Sequence, residues 1–196
     1  LIERPDPLST KPTEANKITV IVKQMMKRGF NHYDVMNNYG KGAATSKNDT
    51  HSASRKWEKW LGGRGDGDPS PDLPSCEIKY TAVDERHLLT KANPVFNVGA
   101  IQPRHVRYTR FEDSSCYKKM ENMSITSYDA KTHELVDSFV FRVDNPKWFK
   151  RAKEDYEFYL NELNSRIKLG IRSSASSIIS SALKSPNGCL QVRSDS

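Results

Sequence analysis

The chain has 196 residues, of which 36% are hydrophobic and 28% are charged, and its formal net charge is +7. This length predicts one domain with a substantial core, and the moderate excess of Lys and Arg suits a polyanionic partner without requiring one. The three cysteines form no CxxC pair, which argues against a disulfide framework or a zinc site and favours a reducing cytoplasm. No apolar run approaches the roughly 20 residues of a membrane-spanning helix, so we expect no membrane partner.

The first half of the chain predicts an arm followed by two helices. Residues 1–13 are rich in proline and polar residues and predict an N-terminal arm, which leaves 14–196 as a single domain. Apolar residues at 18, 21, 22, 25 and 26 have helical spacing, and Gly29 predicts the end of that helix. A second, short helix is predicted over Ser52–Leu61, and the glycine-rich residues 62–68 predict a flexible connection.

The second half of the chain predicts strands followed by a long helix. One strand carries Glu77 and Lys79, and others are predicted at Val95–Ile101, Val106–Phe111, Met123–Tyr128 and Leu135–Val143. Asn145 and Pro146 predict the capped start of a long helix that Gly170 ends. Residues 172–185 fit either a short helix or a surface loop. The sum is a mixed α/β (α+β) fold in which a mixed sheet is flanked by helices.

Two carboxylates and an amine lie close together in the segment from Pro71 to Lys79. Because strand side chains alternate between faces, Glu77 and Lys79 are predicted to share one face. Asp72 stands just upstream, where nearby prolines limit the backbone, and can fold back beside Glu77. Asp72 and Glu77 are therefore predicted to hold Mg²⁺, which takes only one or two protein carboxylates. The Lys79 ammonium would orient an attacking water or offset charge on a phosphate, which predicts phosphodiester cleavage.

The spacing alone leaves a second interpretation open. An edge strand with a surface Glu–Lys ladder has the same pattern. In that case the contact between Glu77 and Lys79 is an exposed salt bridge that contributes little stability.

Two separated regions resemble MutH and the related GATC-cutting type II restriction enzymes. The first region contains RKWEKWLG at 55–62, SPDLP at 70–74 and EIK at 77–79. Family members carry there a helix with a catalytic Glu near a Leu-Gly, then PDFP, then GxELK. The second region contains EDYE at 154–157 and NGCLQVR at 187–193, which resemble the family's EDWEEL helix and GEYLQIR strand.

The resemblance implies a restriction-endonuclease-like fold and a Mg²⁺-dependent, site-specific endonuclease acting on double-stranded DNA. Glu58, fourteen positions before Asp72, matches the helix-borne acid and would join Asp72, Glu77 and Lys79 as a catalytic residue. A GATC-type target is implied by the resemblance only. Two roles are open within the family, namely a restriction enzyme with paired active sites in a homodimer and a mismatch-repair nickase switched on by a MutL-like activator.

A basic run downstream of these acids predicts the DNA contacts. If it is a strand, the side chains of Arg104, Tyr108 and Arg110 share a face that can line a phosphate groove. The resemblance implies that a basic loop in this region reads base edges. The full set of predicted DNA-binding residues is Arg104, His105, Arg107, Tyr108, Arg110, Lys118 and Lys119.

Apart from Cys189, which stands where the family commonly has an aromatic residue, the chain departs from the family pattern at two places. Only four residues separate Asp72 from Glu77, fewer than the family usually has, and the family's later FYLKK segment is not found in the 196 residues. Both departures favour the restriction role over the nickase. Two rivals from other classes are a non-catalytic MutH-like module that binds DNA and a basic structural protein. Retention of Asp72, Glu77 and Lys79 argues against the module.

Overall fold

The computed structural model of the chain describes residues 13–34, 52–63, 71–86, 99–101, 108–169 and 185–192. The chain divides into two units, the first formed by Leu1–Pro94 with Asn122–Phe141 and the second by Val95–Glu121 with Arg142–Ser196. The expectation of a single domain over 14–196 stays a prediction.

Four α-helices and five strands, numbered in chain order, make up the described regular structure. The helices are α1 (Glu14–Lys27), α2 (Ser52–Trp60), α3 (Ser115–Met120) and α4 (Pro146–Lys168), and a short 3₁₀ turn spans Phe111–Asp113. The strands are β1 (Glu77–Val83), β2 (Gly99–Ile101), β3 (Met123–Asp129), β4 (Leu135–Phe141) and β5 (Leu190–Val192).

The first unit is built on a three-stranded mixed sheet in the order β1–β3–β4. Strands β1 and β3 run parallel, with Glu77 opposite Met123 and Lys79 opposite Ile125. Strands β3 and β4 run antiparallel, and α1 packs against both of them while α2 packs against β1. This arrangement confirms the predicted mixed α/β fold with helices flanking a mixed sheet.

The core of the first unit lies between its helices and one face of the sheet. Helix α1 contributes Ile18 and Val22, which have the predicted helical spacing, and α2 contributes Trp57. These side chains bury Ile78 and Tyr80 of β1. Helix α1 begins after Thr13, because the Thr13 side chain accepts a hydrogen bond from the backbone N–H of Asn16, which has no partner within the helix.

An aromatic stack continues this core along β1. The ring of Tyr80 lies 4.6 Å from that of Trp57 and 4.7 Å from that of Tyr128, measured between centroids. His32 stacks on Tyr128 at 4.2 Å, and its Nδ1 atom lies 2.8 Å from the Tyr80 hydroxyl. Burial, followed by the charges of His133 and Lys56, lowers the pKa of His32 to about 4.

The second unit combines α4 with the short parallel pair β2–β5. The Asn145 side chain accepts a hydrogen bond from Lys147 N–H and Pro146 opens the helix, as the sequence predicts. Asp155 on α4 is fully buried. Its carboxylate accepts the backbone N–H groups of Asn187, Cys189 and Leu190 at 2.8, 2.7 and 3.2 Å. This carboxylate therefore holds the segment that enters β5.

The predicted helices over 18–26 and 52–61 and the predicted strand over 123–128 are confirmed to within a few residues. Residues 95–98, and the segment 172–184 of undecided structure, lie outside the described residues. The strand predicted over Leu135–Val143 ends at Phe141, because the following turn leads into the Asn145 cap of α4.

The strand predicted over Val106–Phe111 is wrong where the structure describes it. Tyr108 lies in a turn, Thr109 in a bend, Arg110 is extended but belongs to no strand, and Phe111 begins the 3₁₀ turn. The reason is local capping: the Ser114 hydroxyl donates to the Phe111 carbonyl and accepts Tyr117 N–H at the start of α3. Burial of the Phe111 ring, which contacts Tyr117 edge-on, fixes the turn.

All three cysteines are free and buried. Burial raises the pKa of the Cys116 thiol and of the Cys189 thiol to about 11. Within the described ranges, no helix has the length and apolar character needed to cross a membrane.

Candidate active site

Glu77 and Lys79 share one face of β1, as strand alternation predicts. Their Oε1 and Nζ atoms lie 2.7 Å apart. The Glu77 side chain is 2% exposed and that of Lys79 is 27% exposed. A carboxylate so buried does not fit the alternative of a surface Glu–Lys ladder, because it has been taken out of water and depends on its ammonium partner.

The Asp72 carboxylate contacts the backbone of β1 between these two residues. Its Oδ2 atom accepts the backbone N–H of Ile78, the residue between Glu77 and Lys79, at 2.9 Å. The neighbouring N–H of Glu77 points the other way and donates to the carbonyl of Asn122 at 3.0 Å. Asp72 therefore covers the edge of β1 that faces away from β3. The prediction that Asp72 folds back beside Glu77 stays a prediction, since the contact of Asp72 described here is with the amide of Ile78.

A tight turn between Leu73 and Cys76 presents Asp72 to the strand. The backbone groups of these two residues exchange hydrogen bonds at 2.9 and 3.3 Å, with Pro74 and Ser75 at the tip. The tip is held from outside the turn. Glu14 Oε2 on α1 accepts both the N–H and the hydroxyl of Ser75, at 2.8 and 2.7 Å.

Helix α2 ends against the same segment and carries Glu58. The carbonyl of Glu58 accepts the N–H of Gly63 at 2.8 Å. A Cβ atom at Gly63 would lie 3.0 Å from that carbonyl oxygen and 3.3 Å from Cβ of Asp72. Glycine at this position thus lets the end of α2 approach Asp72 closely. The structure therefore brings the helix of Glu58 and the turn of Asp72 together, and the catalytic role of Glu58 stays a prediction.

The carboxylates near β1 also change the pKa of the buried Cys76 thiol. Burial raises the pKa of Cys76 to about 12, and the nearby carboxylates of Glu14, Glu77 and Asp72 raise it further. A negative potential of this kind attracts a cation and disfavours a thiolate.

The carboxylates of Asp72 and Glu77 are oxygen ligands of the kind that a magnesium ion prefers. Within the part of the chain that the structure describes, no three or more His, Cys, Asp or Glu side chains form a group that could hold a metal. Mg²⁺ nevertheless usually keeps several waters and takes only one or two carboxylates. Asp72 and Glu77 supply carboxylate oxygens, and the bonds to the Ile78 amide and the Lys79 ammonium orient them. The two acids therefore fit a hydrated Mg²⁺ and do not form a closed metal cage.

The predicted DNA-binding residues that the structure describes belong to the second unit. Tyr108 is 80% exposed, Arg110 and Lys118 are exposed, and Lys119 is half-buried. Arg104, His105 and Arg107 lie outside the described residues. Because residues 108–110 form no strand, the predicted strand face shared by Tyr108 and Arg110 is wrong.

Three residues that shape this site are absent from the sequence-based prediction, namely Glu14, Gly63 and Asn122. Glu14 looks like an ordinary acid in a first helical turn, where it also suits the helix dipole. Gly63 looks like part of a flexible linker. The contacts of Glu14 and Asn122 with Ser75 join residues 61 and 47 positions apart, and no local pattern predicts such contacts.

No protein-family model matches the chain, and the search of curated proteins also finds no match. The resemblance to MutH-like nucleases therefore stays a prediction, based on the quoted motifs.

Proposed function

We propose that this chain is a Mg²⁺-dependent, site-specific DNA endonuclease that hydrolyses phosphodiester bonds in double-stranded DNA, in the manner of a type II restriction enzyme. One observation carries the proposal. A nearly fully buried carboxylate on β1 is paired with an ammonium two residues on, and a second carboxylate bonds to the peptide N–H between them.

Burial of the Glu77–Lys79 pair is costly, which supports a role beyond stability. Removing two charges from water often costs more than their attraction returns, and apolar replacements of similar volume are often as stable or more so. Buried ionisable groups in close contact are also typical of functional sites. Glu77 is buried and in close contact with the ammonium of Lys79, whose side chain is 27% exposed.

Each site residue has a distinct chemical task in this proposal. Asp72 and Glu77 would hold Mg²⁺, which when bound lowers the pKa of water and stabilises charge on phosphate oxygens. Lys79 holds Glu77 in place and offsets negative charge that develops on the phosphate. Glu58 adds a further negative charge from the end of α2.

Cleavage of supercoiled plasmid DNA tests the proposal. The wild-type protein should cut with Mg²⁺ and not with EDTA, and Glu77→Gln should lower the rate by about 10²-fold or more, because it removes the charge of a metal ligand. Glu85→Gln is the matched control, since Glu85 is an exposed acid just beyond β1. Equal rates for the two variants would refute the assignment of Glu77.

The products distinguish the finer roles. Linear DNA as the first product indicates a double-strand cutter, whereas open circles that persist indicate a MutH-type nickase. Plasmids with and without GATC sequences test the target that the resemblance implies. Retention of DNA that weakens with salt, without any cutting, would instead support the non-catalytic binding module.

The predicted DNA contacts have a separate test. Lys118 is exposed on α3, so its removal should weaken binding to all sequences. A lost phosphate contact should reduce the slope of log affinity against log salt by about 0.9. We therefore compare Lys118→Gln with Lys131→Gln, which changes an exposed lysine in the turn between β3 and β4. An unchanged slope in the Lys118 variant would remove that residue from the interface.

A further inference from the structure

We propose that Glu14, at the start of α1, is a positioning residue that fixes Asp72 against β1. This inference rests on the proposed function for its catalytic consequence, whereas the positioning itself concerns only the contacts of the first unit.

The first step is the contact between Glu14 and the turn. A single carboxylate oxygen of Glu14 accepts two hydrogen bonds from Ser75, one from the backbone at 2.8 Å and one from the hydroxyl at 2.7 Å. Hydrogen bonds to an ionised acceptor are shorter and stronger than neutral ones. Ser75 is therefore fixed in both position and orientation, although it is exposed.

The second step is the rigidity of the turn. The reciprocal backbone bonds between Leu73 and Cys76 close a short loop around Ser75, and Pro74 restricts its backbone. Asp72 directly precedes this loop. Movement of Ser75 therefore displaces Asp72 relative to Ile78, whose N–H it accepts.

The third step is that both partners of the Glu14–Ser75 contact, called the clamp below, are themselves anchored. Helix α1 buries Ala15 and Ile18 in the core immediately after Glu14, so the carboxylate starts from a fixed backbone. On the other side, the side-chain amide of Asn122 donates to the carbonyl of Ser75 at 2.9 Å, and the backbone carbonyl of Asn122 accepts the N–H of Glu77 at 3.0 Å. Asn122 thus spans the turn of Asp72 and the strand of Glu77.

The expected consequence is specific to metal binding. Loss of the clamp should let Asp72 leave the Ile78 amide and weaken the hold on Mg²⁺. Saturating Mg²⁺ should restore the rate, because Glu77 and Lys79 do not depend on Glu14 for their own contact.

Amide hydrogen exchange of Ile78 tests the positioning without reference to activity. We expect Glu14→Ala to accelerate this exchange about tenfold or more, and Asp72→Ala to do the same. Glu14→Gln keeps a side-chain oxygen and should retain most of the protection. The exchange of Val22, in the core of α1, should stay unchanged in all three variants.

The Mg²⁺ dependence of plasmid cutting tests the consequence. Glu14→Ala should raise the Mg²⁺ concentration for half-maximal rate about tenfold and leave the maximal rate within about twofold. Glu134→Ala, which removes an exposed acid of the same unit, is the control.

Three results would overturn the inference. They are unchanged Ile78 exchange in Glu14→Ala or in Asp72→Ala, equal acceleration at Val22, and a lower maximal rate at an unchanged Mg²⁺ requirement. If the wild-type protein cuts no DNA, the proposed function fails, and the exchange of Ile78 still decides whether Glu14 positions Asp72.

Discussion

Removal of the Lys79 ammonium tests whether the Glu77 carboxylate depends on an ion pair inside the protein. Loss of one partner of a buried pair costs about 3–5 kcal/mol, because a charge is left uncompensated. The Lys79 side chain is 27% exposed, so solvent screens part of this interaction. We therefore expect Lys79→Met to lower the free energy of unfolding by about 2–3 kcal/mol.

The double variant Glu77→Leu/Lys79→Met makes the test sharper. It removes both charges and fills the site with apolar groups, which is often neutral or stabilising. We expect it to recover most of the stability lost in Lys79→Met and to have no nuclease activity. Urea unfolding can be followed by tryptophan fluorescence, since Trp57 is buried in the same unit. A double variant less stable than Lys79→Met would refute the reasoning.

Three further predictions concern other parts of the chain. Asp155→Ala should lower the free energy of unfolding by about 3 kcal/mol or more, because two buried N–H groups and one partly buried N–H group lose their acceptor. Urea unfolding measures this loss. Gly63→Ala should abolish most of the plasmid cutting, because its Cβ would lie 3.0 Å from the backbone carbonyl oxygen of Glu58. Gly29→Ala is the comparison: Gly29 has a φ of +74° and open space around it, so this variant should cost about 1–2 kcal/mol of strain and keep the activity. The pKa of the His32 imidazole is about 4 in the folded chain, below its ordinary value of 6.5. Burial of neutral His32 therefore stabilises the fold fully above pH 6.5, and this contribution is lost as the pH falls toward 4. Thermal unfolding at pH 7 and pH 4.5 should therefore show a smaller difference for His32→Phe than for the wild type.

Sequence signals were sufficient for elements whose determinants are local. Helix α4 begins where Asn145 and Pro146 provide a cap and a first-turn proline, and both signals lie within two adjacent residues. Strand alternation was likewise sufficient to place Glu77 and Lys79 on one face. Local patterns failed at Phe111, where a serine cap and burial of the ring outweighed the β-propensity of the segment.

The rest of the candidate site depends on contacts between distant residues. The acceptor for Ser75 is Glu14, 61 positions away, and the N–H bonded by Asp72 belongs to a strand whose orientation is set by pairing with β3. The short sequence separation between Asp72 and Glu77 predicts that their side chains are close. It does not specify that Asp72 bonds the peptide of Ile78, because that depends on the outer edge of β1.

The buried thiols give the chain its own reporters of local unfolding. Cys76 belongs to the first unit, and Cys116 and Cys189 belong to the second. Because a thiol with a pKa of about 11 or 12 is almost entirely protonated at neutral pH, an alkylating reagent should modify each cysteine only when its surroundings open. Peptide mass spectrometry after a timed pulse of reagent would then report the opening of each unit separately, without any engineered label.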